Sequence, residues 1–541
     1  MDSFEMDYWT NFQLICKPEQ SGKTFLMIQH IIKEMNCPIE GKEMINIIFC
    51  DNNLLLAKQS SNRIDSELTK YIHDGVAYAE LSSHSRAACH NMKSVFFAIV
   101  SEGIRNIICC TNIKRMDDIY ALIESLYEDS EFTRNQFHAN IWLDEADKFM
   151  GFIDDTLIPV VSNYENVQVK LITATPEPLF KKYKYINVLP LENTTSEQYH
   201  GWEDNLIDIH PKKGCIEFAE FILMIAKENV RPGTKWFIPA MTAKASHEMM
   251  KDACLAANMA VLCVNGDGIV LTIPEISTPI YVEKDSEINE TITKLYRLHN
   301  LNRFAFAITG NICIGRGISI MSESFMMDYA ILSHYSSKTE ASQIAGRMKG
   351  NIKHFSGYKQ KGITIYTTPE FNKVAIEMEE KSRNLAKIAH EKEKEGHGTV
   401  LDKNEYKTCD KSFDYICHPV LFNTFAEAKN FLKTKEREME CRGELKKTKE
   451  SPMHKCEEYW VSSKLLSAGQ SVKDLKKEHR LTLEKANDIP NGRCISSTDK
   501  GSRYLILPVY ETEATPADHE KYQVRYIKFK KDKSIPNLST V

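Results

Sequence analysis

The stretch FQLICKPEQSGKT, Phe12–Thr24, decides the fold of the first part of the chain. Its apolar start, Phe12–Cys16, predicts a buried strand, and the amphipathic pattern Thr24–Met35 that follows predicts a helix. Backbone N–H groups at such a strand-to-helix turn can hold phosphate oxygens. Lys23 would reach the β- and γ-phosphates, and the Thr24 hydroxyl would bind Mg²⁺. The predicted phosphate-binding residues are Gln20, Ser21, Gly22, Lys23 and Thr24.

One position of this loop departs from the usual phosphate-loop pattern, Gly-x-x-x-x-Gly-Lys-Thr. Lys17 or Pro18 stands where that pattern has its first glycine. A helix that begins with Gly-Lys-Thr by chance is therefore the alternative interpretation of this stretch taken alone.

A second stretch, IWLDEADKF at Ile141–Phe149, carries acidic residues at the end of an apolar run. The run predicts a strand that presents Asp144 and Glu145 at its carboxyl end, where ligands bind in parallel sheets. Asp144 would hold Mg²⁺ through water, and Glu145 would polarise the water that attacks a phosphate. An acidic helix cap is the alternative for this stretch alone. Its occurrence together with Lys23 in one α/β block favours a nucleotide-hydrolysing site.

Short apolar runs alternate with helical patterns in two successive blocks of about equal size, which is typical of parallel β-α-β units. The predicted fold class is α/β, with two tandem parallel-sheet domains followed by a C-terminal α+β domain. The predicted domain boundaries are 1–190, 191–395 and 396–541, the last placed after the Lys/Glu-rich helical run Glu377–Glu395. The predicted strands are Phe12–Cys16, Ile45–Cys50, Asn106–Cys110, Asn140–Asp144 and Val169–Ala174 in the first block, and Lys235–Ala240, Ala260–Asn265, Phe304–Thr309, Tyr329–Ser333 and Gly362–Thr367 in the second.

Three further stretches follow in order: LITATPEP at Leu171–Pro178, GNICIGRGISI at Gly310–Ile320 and SQIAGRMKG at Ser342–Gly350. With the two stretches above, they resemble the motifs of superfamily 2 helicases over roughly residues 10–370. The resemblance implies two RecA-like domains with ATP in the cleft between them. It also implies ATP and Mg²⁺ as ligands, DNA or RNA as partner, and ATP hydrolysis coupled to strand separation or movement.

The resemblance assigns catalytic roles in the second block. Gln343 and Arg347 match the family's Gln-x-x-Gly-Arg-x-x-Arg element, which faces ATP from the second domain. Gly350 stands in place of the final arginine, so Arg347 is expected to be the main trans-domain cation and Gly350→Arg to be tolerated. A surface helix with an exposed arginine is the alternative. The implied catalytic residues are Glu145, Gln343 and Arg347.

Residues at other motif positions of the family would bind phosphate or nucleic acid, or would couple the site to strand separation or translocation. Gly315 and Gly317 would let the backbone approach phosphate or nucleic acid closely. The hydroxyls of Thr173 and Thr175 would link the carboxylates of Asp144 and Asp147 to strand separation or translocation, and turn hydroxyls before Pro176 are the alternative. The stretches CDNNLLLAKQ and CTNIKR lie where the family contacts the nucleic-acid backbone. Asn52, Thr111 and Asn112 would donate to phosphate oxygens there, with ordinary strand-end loops as the alternative.

The composition argues against a membrane-spanning, secreted or disulfide-stabilised protein. No apolar run approaches the ~20 residues that span a bilayer, and the N-terminus MDSFEMDYWT is acidic where a signal peptide is positive. Fifteen scattered cysteines are typical of reduced thiols rather than of a disulfide framework. A soluble, intracellular protein is therefore expected.

The C-terminal part, from about residue 396, matches no family. Residues 401–541 carry an excess of basic residues, whereas the remainder of the chain is acidic. The segments RYLILPVYE and YQVRYIKFKK predict paired strands, and a basic, Tyr-containing ribbon suits nucleic-acid contact. A plain packing domain is the alternative. The spacing of the cysteines and histidines in this part fits no zinc finger, so zinc is not expected.

These observations predict a nucleic-acid-stimulated ATPase of superfamily 2, a helicase or translocase. The stretch Leu171–Pro178 contains Thr-Ala-Thr, and the Gln-x-x-Gly-Arg element begins with Gln343. Both features resemble DExH-like and viral translocating helicases more than true DEAD-box proteins. Two rivals remain: an ATPase that moves along duplex without unwinding it, and a nucleic-acid-binding scaffold whose helicase core has weakened catalysis.

Overall fold

The structure is a computed structural model that describes most of the chain. The described residues fall into two compact units, one within Met1–Asp410 and one within Lys411–Val541. The described ranges are 11–36, 41–50, 78–81, 87, 89–128, 137–265, 268–276, 278–282, 288–310, 320–359, 362–408, 413–440, 453–456, 459–462, 481–487 and 504–529.

The first unit begins with a six-stranded sheet and the helices that cover it. Its strands are β1 Phe12–Cys16, β2 Glu43–Cys50, β3 Ala79–Leu81, β4 Asn106–Cys110, β5 Phe137–Asp144 and β6 Val167–Thr173. The helices are α1 Lys23–Asn36, α2 Met92–Val100, α3 Ile113–Glu128, α4 Met150–Phe152, α5 Ile158–Asn163 and α6 Glu177–Lys182, with a 3-10 turn at Ala146–Lys148 and a π-helical turn at Ile153–Leu157. The strand order is β1-β6-β5-β2-β4-β3, and every described pairing is parallel. The carboxyl ends of β1 and β5 therefore flank that of β6.

Both faces of this sheet are buried, which explains why its strands are almost continuous apolar runs. Along β2, Ile47 and Phe49 point into one core, whereas Ile48 and Cys50 point into the core on the opposite face. Helix α1 covers the second face with apolar side chains at helical spacing. Its buried residues are Met27, Ile28, Ile31 and Ile32.

An eight-stranded sheet follows in the same unit, after the short strands β7 Tyr185–Asn187 and β8 Tyr199–His200. Its strands are β9 Leu206–Ile209, β10 Lys235–Phe237, β11 Met259–Asn265, β12 Gly268–Thr272, β13 Ile280–Val282, β14 Ala305–Gly310, β15 Tyr329–Leu332 and β17 Thr364–Thr367, with β16 at Gly350–Asn351. The helices are α7 Cys215–Ile225, α8 Lys244–Ala256, α9 Ile288–Leu298, α10 Lys338–Ala345 and α11 Pro369–Lys394, with 3-10 turns at Trp202–Asp204, Lys227–Asn229, Leu301–Arg303 and Gly346–Met348. The order is β13-β12-β11-β14-β10-β15-β17-β9; its described pairings are parallel except those of β12 with β11 and with β13, so β12 runs opposite to the other strands. Strand β16 pairs instead with β8.

Helix α11 belongs to the cores of both sheets. Phe371 and Val374, near its start, pack in the core of the second sheet, whereas Leu385 and Ala389, near its end, pack in the core of the first. The chain then forms β18 Val400–Asp402, which pairs with β7, and α12 Lys403–Thr408. A single helix therefore ties the two sheets together. The predicted boundaries between domains stay predictions.

The second unit is a small α+β structure. Its elements are β19 Phe413–Cys417, α13 Phe425–Glu440, β20 Met453–Cys456, β21 Tyr459–Ser462, α14 Leu483–Asn487, β22 Tyr504–Val509 and β23 Lys521–Phe529, with a 3-10 turn at Ala517–His519. The predicted pairing of the last two strands is confirmed, because β22 and β23 are antiparallel neighbours. Arg525 and Tyr526 are buried, and Tyr526 packs against Phe431. These two side chains therefore stabilise the core and are not presented to a ligand.

The predicted α/β fold class is confirmed: two α/β parts, each built on a mainly parallel sheet, precede an α+β part. All ten predicted strands of the two blocks are present, with ends that shift by a few residues. Four strands of the two sheets were missed, namely β3, β9, β12 and β13, which are short, exposed or antiparallel additions at sheet edges. Across the described residues, a helix with both the length and the sustained apolar character that a bilayer crossing requires is absent.

Candidate active site

The loop between β1 and α1 has the geometry of a tight turn that leads into a helix. The Ser21 hydroxyl donates to the carbonyl of Pro18 at 2.7 Å, and the Ser21 N–H points at the same carbonyl at 3.3 Å. Gln20 has φ of 53° and Gly22 has φ of 89°, both in the left-handed region. Helix α1 begins directly after the loop, with Lys23 and Thr24 in its first turn. The positive end of the α1 dipole therefore lies at this loop, which favours an anion there.

Lys23 lies among carboxylates. Its side chain is only 11% exposed, and its Nζ lies 3.7 Å from Oε2 of Glu19. Burial lowers the pKa of Lys23, but the charges of Glu19, Glu145 and Asp144 outweigh burial, and the net pKa is raised above its ordinary value. Lys23 is therefore a firmly protonated cation.

Lys17 contributes a second cation near Lys23. Burial and, next, the positive charge of Lys23 lower the pKa of Lys17. Two neighbouring lysines on one loop repel each other, so an anion placed between them would relieve the repulsion.

The acidic pair follows β5, two strands from the loop. The Glu145 N–H donates to Oδ1 of Asp144 at 3.0 Å, and Glu145 has φ of 52° and ψ of 43°, a left-handed conformation that is unfavourable for a residue with a side chain. Such local strain clusters at functional sites, because the surrounding structure must hold it in place. Here the strained turn directs the buried Glu145 carboxylate toward the second sheet.

Asp147 is joined to the end of β6 by a buried hydrogen-bond network. The Thr173 hydroxyl donates to Oδ1 of Asp147 at 2.7 Å, and the Thr175 hydroxyl donates to Oδ2 at 2.9 Å. The Thr175 N–H donates to the Thr173 hydroxyl oxygen at 2.9 Å. The two threonines were predicted to link the carboxylates of Asp144 and Asp147 to strand separation or translocation, and the structure brings them to Asp147.

The second sheet contributes side chains to the same place. Nε2 of Gln343, on α10, donates to Oε2 of Glu145 at 3.1 Å, and both residues are buried. Arg347 lies one turn further on, in the 3-10 turn that follows α10, and is buried as well. The structure therefore brings Gln343 to Glu145, although 198 positions separate them in the chain.

The segment after Gln343 also covers the loop of the first sheet. A Cβ added to Gly346 would lie 2.7 Å from Cβ of Glu19, and one added to Gly350 would lie 3.1 Å from Cβ of Gln20. Tyr199 also contacts the loop, because its hydroxyl donates to the carbonyl of Glu19 at 3.2 Å. Burial, foremost, raises the pKa of Tyr199 well above its usual range, so the hydroxyl keeps the proton it donates.

Gly350 corrects an expectation. It has φ of 137°, a conformation that essentially only glycine adopts, and it contacts Gln20 closely. Gly350→Arg, expected from the sequence to be tolerated, would therefore strain the backbone and crowd the Gln20 side chain. The neighbouring Lys349 is buried and pairs with Glu379 at 3.2 Å. Glu379 also accepts from the Trp202 N–H.

The predicted nucleic-acid contacts are only partly described. Thr111 is buried, and its hydroxyl donates to the carbonyl of Cys50 at 2.6 Å. In this structure the hydroxyl proton is therefore used within the protein and not for a phosphate. Oδ1 of Asn112 accepts from the Arg115 N–H and caps the start of α3. Asn52, Gly315 and Gly317 lie outside the described residues.

The oxygen donors at this site suit Mg²⁺. Thr24 offers a hydroxyl and Asp144 a carboxylate, both hard ligands, and Mg²⁺ usually completes its shell with water and substrate phosphates. Among the described residues, no cluster of three or more His, Cys, Asp or Glu side chains forms a metal cage. With phosphate oxygens and water completing the shell, Thr24 and Asp144 fit a bound Mg²⁺.

Sequence reasoning missed Glu19, Tyr199 and the contacts of Gly346 and Gly350 with the loop. Glu19 carried a visible signal, because an acid is unusual in a loop that would hold phosphates. The other contacts join residues that are distant in the chain, for which the local pattern held no signal.

No family model matches the sequence, and no curated protein matches it. Among solved structures, the chain is similar to a point variant of S. cerevisiae Dbp5 bound to RNA and ADP BeF3, with 13% identity, a TM-score of 0.38 and coverage of 69% of this chain and 83% of that one. It is also similar to a DEAD box protein from the hyperthermophile Methanococcus jannaschii, with 15% identity, a TM-score of 0.35 and coverage of 69% and 87%.

A third similar structure is the Mycobacterium smegmatis helicase Lhr bound to ssDNA and AMP-PNP, with 12% identity and a TM-score of 0.37. The matched region covers 70% of this chain and 47% of that one. At these identities and TM-scores, the similarities do not decide a function.

Proposed function

We propose that the chain is an ATP-dependent helicase or translocase that acts on nucleic acid. The observation that carries the proposal is the hydrogen bond between Gln343 and Glu145, beside Lys23. It joins a phosphate-loop lysine and an acidic strand end of one sheet to a Gln of the next sheet, at a place where the loop and a helix N-terminus favour an anion.

Hydrolysis would proceed by in-line attack of water on the γ-phosphate of ATP. Lys23 would neutralise charge on the β- and γ-phosphates, and Arg347 would approach from the second sheet. Glu145 would orient the attacking water, with its carboxylate held in place by Gln343. A bound Mg²⁺, held by Thr24 and Asp144, would neutralise part of the phosphate charge.

Asp147 would couple hydrolysis to movement. Its two oxygens are held by Thr173, the last residue of β6, and by Thr175 just after it, and Asp147 lies in the turn that follows Glu145. A change at Glu145 would therefore reach the end of β6 through one buried network. Since helix α11 packs in the cores of both sheets, relative movement of the sheets would act on this helix.

One observation favours the catalytically weakened scaffold as a second candidate. The phosphate loop is covered by Tyr199, Gly346 and Gly350, and Lys23 is engaged by Glu19. If that arrangement persisted, nucleic acid would bind but ATP would not turn over.

One assay separates these functions. The full chain is given ATP and Mg²⁺ with single-stranded or duplex DNA or RNA, and phosphate release is measured alongside displacement of a labelled strand. Stimulated hydrolysis with displacement supports a helicase, and stimulated hydrolysis on duplex without displacement supports a translocase. Nucleic-acid binding in the absence of hydrolysis supports the scaffold and overturns the proposal.

A further inference from the structure

Glu19 is a buried acidic residue of the candidate site to which the proposed hydrolysis gives no role. It lies within the loop that would hold phosphates, and its side chain is buried, with 4% exposed. One of its oxygens faces Lys23, while Oε1 has no hydrogen-bond partner among the described residues. A buried carboxylate oxygen without a partner costs free energy, which calls for an explanation.

The charge of Glu19 acts mainly on Lys23. Of the carboxylates that stabilise the Lys23 cation, Glu19 has the largest effect, ahead of Glu145 and Asp144. A triphosphate that reached Lys23 would bring several negative charges beside Glu19, in a site where solvent screening is weak. The phosphate and the Glu19 carboxylate therefore exclude each other at Lys23.

The second sheet limits where the Glu19 side chain can go. Gly346 lies so close to Cβ and Cγ of Glu19 that even a methyl group would not fit between them. The Glu19 carbonyl is held by the Tyr199 hydroxyl. The position of the Glu19 side chain and that of the segment around Gly346 are therefore coupled by direct contact.

We propose that Glu19 is an internal competitor of the nucleotide, which neutralises Lys23 in the nucleotide-free protein and must withdraw when phosphate binds. The proposal rests on the proposed ATP site. It makes Glu19 a positioning residue that ties phosphate entry to movement of the segment that carries Arg347.

The test is a double-mutant cycle on nucleotide binding by the full chain. Dissociation constants for ATP and ADP with Mg²⁺ are measured by calorimetry for the wild type, Glu19→Gln, Lys23→Ala and the double variant. Glu19→Gln is isosteric and removes only the charge. Glu248→Gln, which removes an exposed carboxylate paired with Lys251 on α8, is the matched control.

Glu19→Gln should lower the dissociation constant for ATP by about tenfold or more, since the carboxylate that competes with phosphate for the Lys23 cation is removed. The gain should vanish when Lys23 is already Ala, and Glu248→Gln should bind as the wild type does. Unchanged or weaker binding by Glu19→Gln, or an equal gain in the Lys23→Ala background, would overturn the proposal. If Lys23→Ala binds ATP as the wild type does, the proposed ATP site fails as well.

Discussion

The two sheets contribute to the candidate site in different ways. The first places Lys23, Asp144 and Glu145 at the carboxyl ends of β1 and β5, which parallel neighbours hold in register. The second contributes Gln343 from α10, which donates to Glu145 of the first sheet, and it carries the buried Arg347 in the turn after α10. Under the proposed function, nucleotide binding depends on residues of the first sheet, whereas catalysis depends on how the two sheets meet. Variants in the second sheet should reduce turnover and leave nucleotide binding almost intact.

The largest effect is expected for Arg347→Ala. A cation supplied across a cleft typically contributes 10³–10⁵ in phosphoryl transfer, so stimulated kcat should fall by roughly that factor. The dissociation constant for ATP should change only a few-fold, as measured by calorimetry. Arg297→Ala, on the exposed face of α9, is the control and should hydrolyse ATP normally. Normal turnover by Arg347→Ala would remove Arg347 from the catalytic set.

Gly350→Arg tests the packing between the sheets. The residue combines φ of 137° with a close contact to Gln20, so the substitution should lower the free energy of unfolding by about 2–4 kcal/mol. Urea unfolding measures this loss. Gly398→Arg is the control, because Gly398 also has positive φ but nothing lies within 4 Å of an added Cβ. Equal losses in both variants would mean that contact with Gln20 does not matter.

A smaller effect is expected for Gln343→Ala. Removal of the 3.1 Å hydrogen bond to Glu145 takes away one buried donor, and about tenfold in kcat corresponds to the roughly 1.5 kcal/mol that such a bond contributes. Steady-state kinetics should show this loss in kcat with KM little changed. A rise in KM at constant kcat would instead assign Gln343 to substrate binding.

The smallest effect on hydrolysis is expected for Thr175→Val. The variant loses the 2.9 Å hydrogen bond to Asp147 and should be less stable by about 1–3 kcal/mol. ATP hydrolysis should persist within a few-fold while displacement of a labelled strand falls further, because the connection from Asp147 to β6 is weakened. Parallel losses of hydrolysis and displacement would contradict a coupling role.

Much of the first sheet could be predicted because its strands are buried on both faces and therefore have continuous apolar sequences. Their carboxyl ends followed directly, and with them Lys23, Asp144 and Glu145. The edge strand β9 has no such signal, since Leu206 and Ile209 are exposed and the segment resembles a loop. The predicted helical run Glu377–Glu395 omits the first turns of α11. These turns pack in one core and the last turns in another, so the helix has no single apolar pattern along its length.

The second-sheet side of the site could be predicted only as a set of residues, without their contacts. The resemblance named Gln343 and Arg347, but the partner of Gln343 and the cover over the phosphate loop depend on tertiary packing. Gly350 shows the limit most clearly. A missing arginine looks like a lost function in the sequence, whereas the structure shows a glycine required by backbone conformation and by contact with Gln20.

The most direct test of the central claim compares ATP binding with ATP hydrolysis in Glu145→Gln, at saturating nucleic acid. The claim is that Glu145 serves turnover at a site where Lys23 serves binding. The account predicts an ATP dissociation constant close to that of the wild type and a kcat lower by roughly 10²–10⁴, the range for removal of a general base. Hydrolysis at the wild-type rate in Glu145→Gln would contradict it.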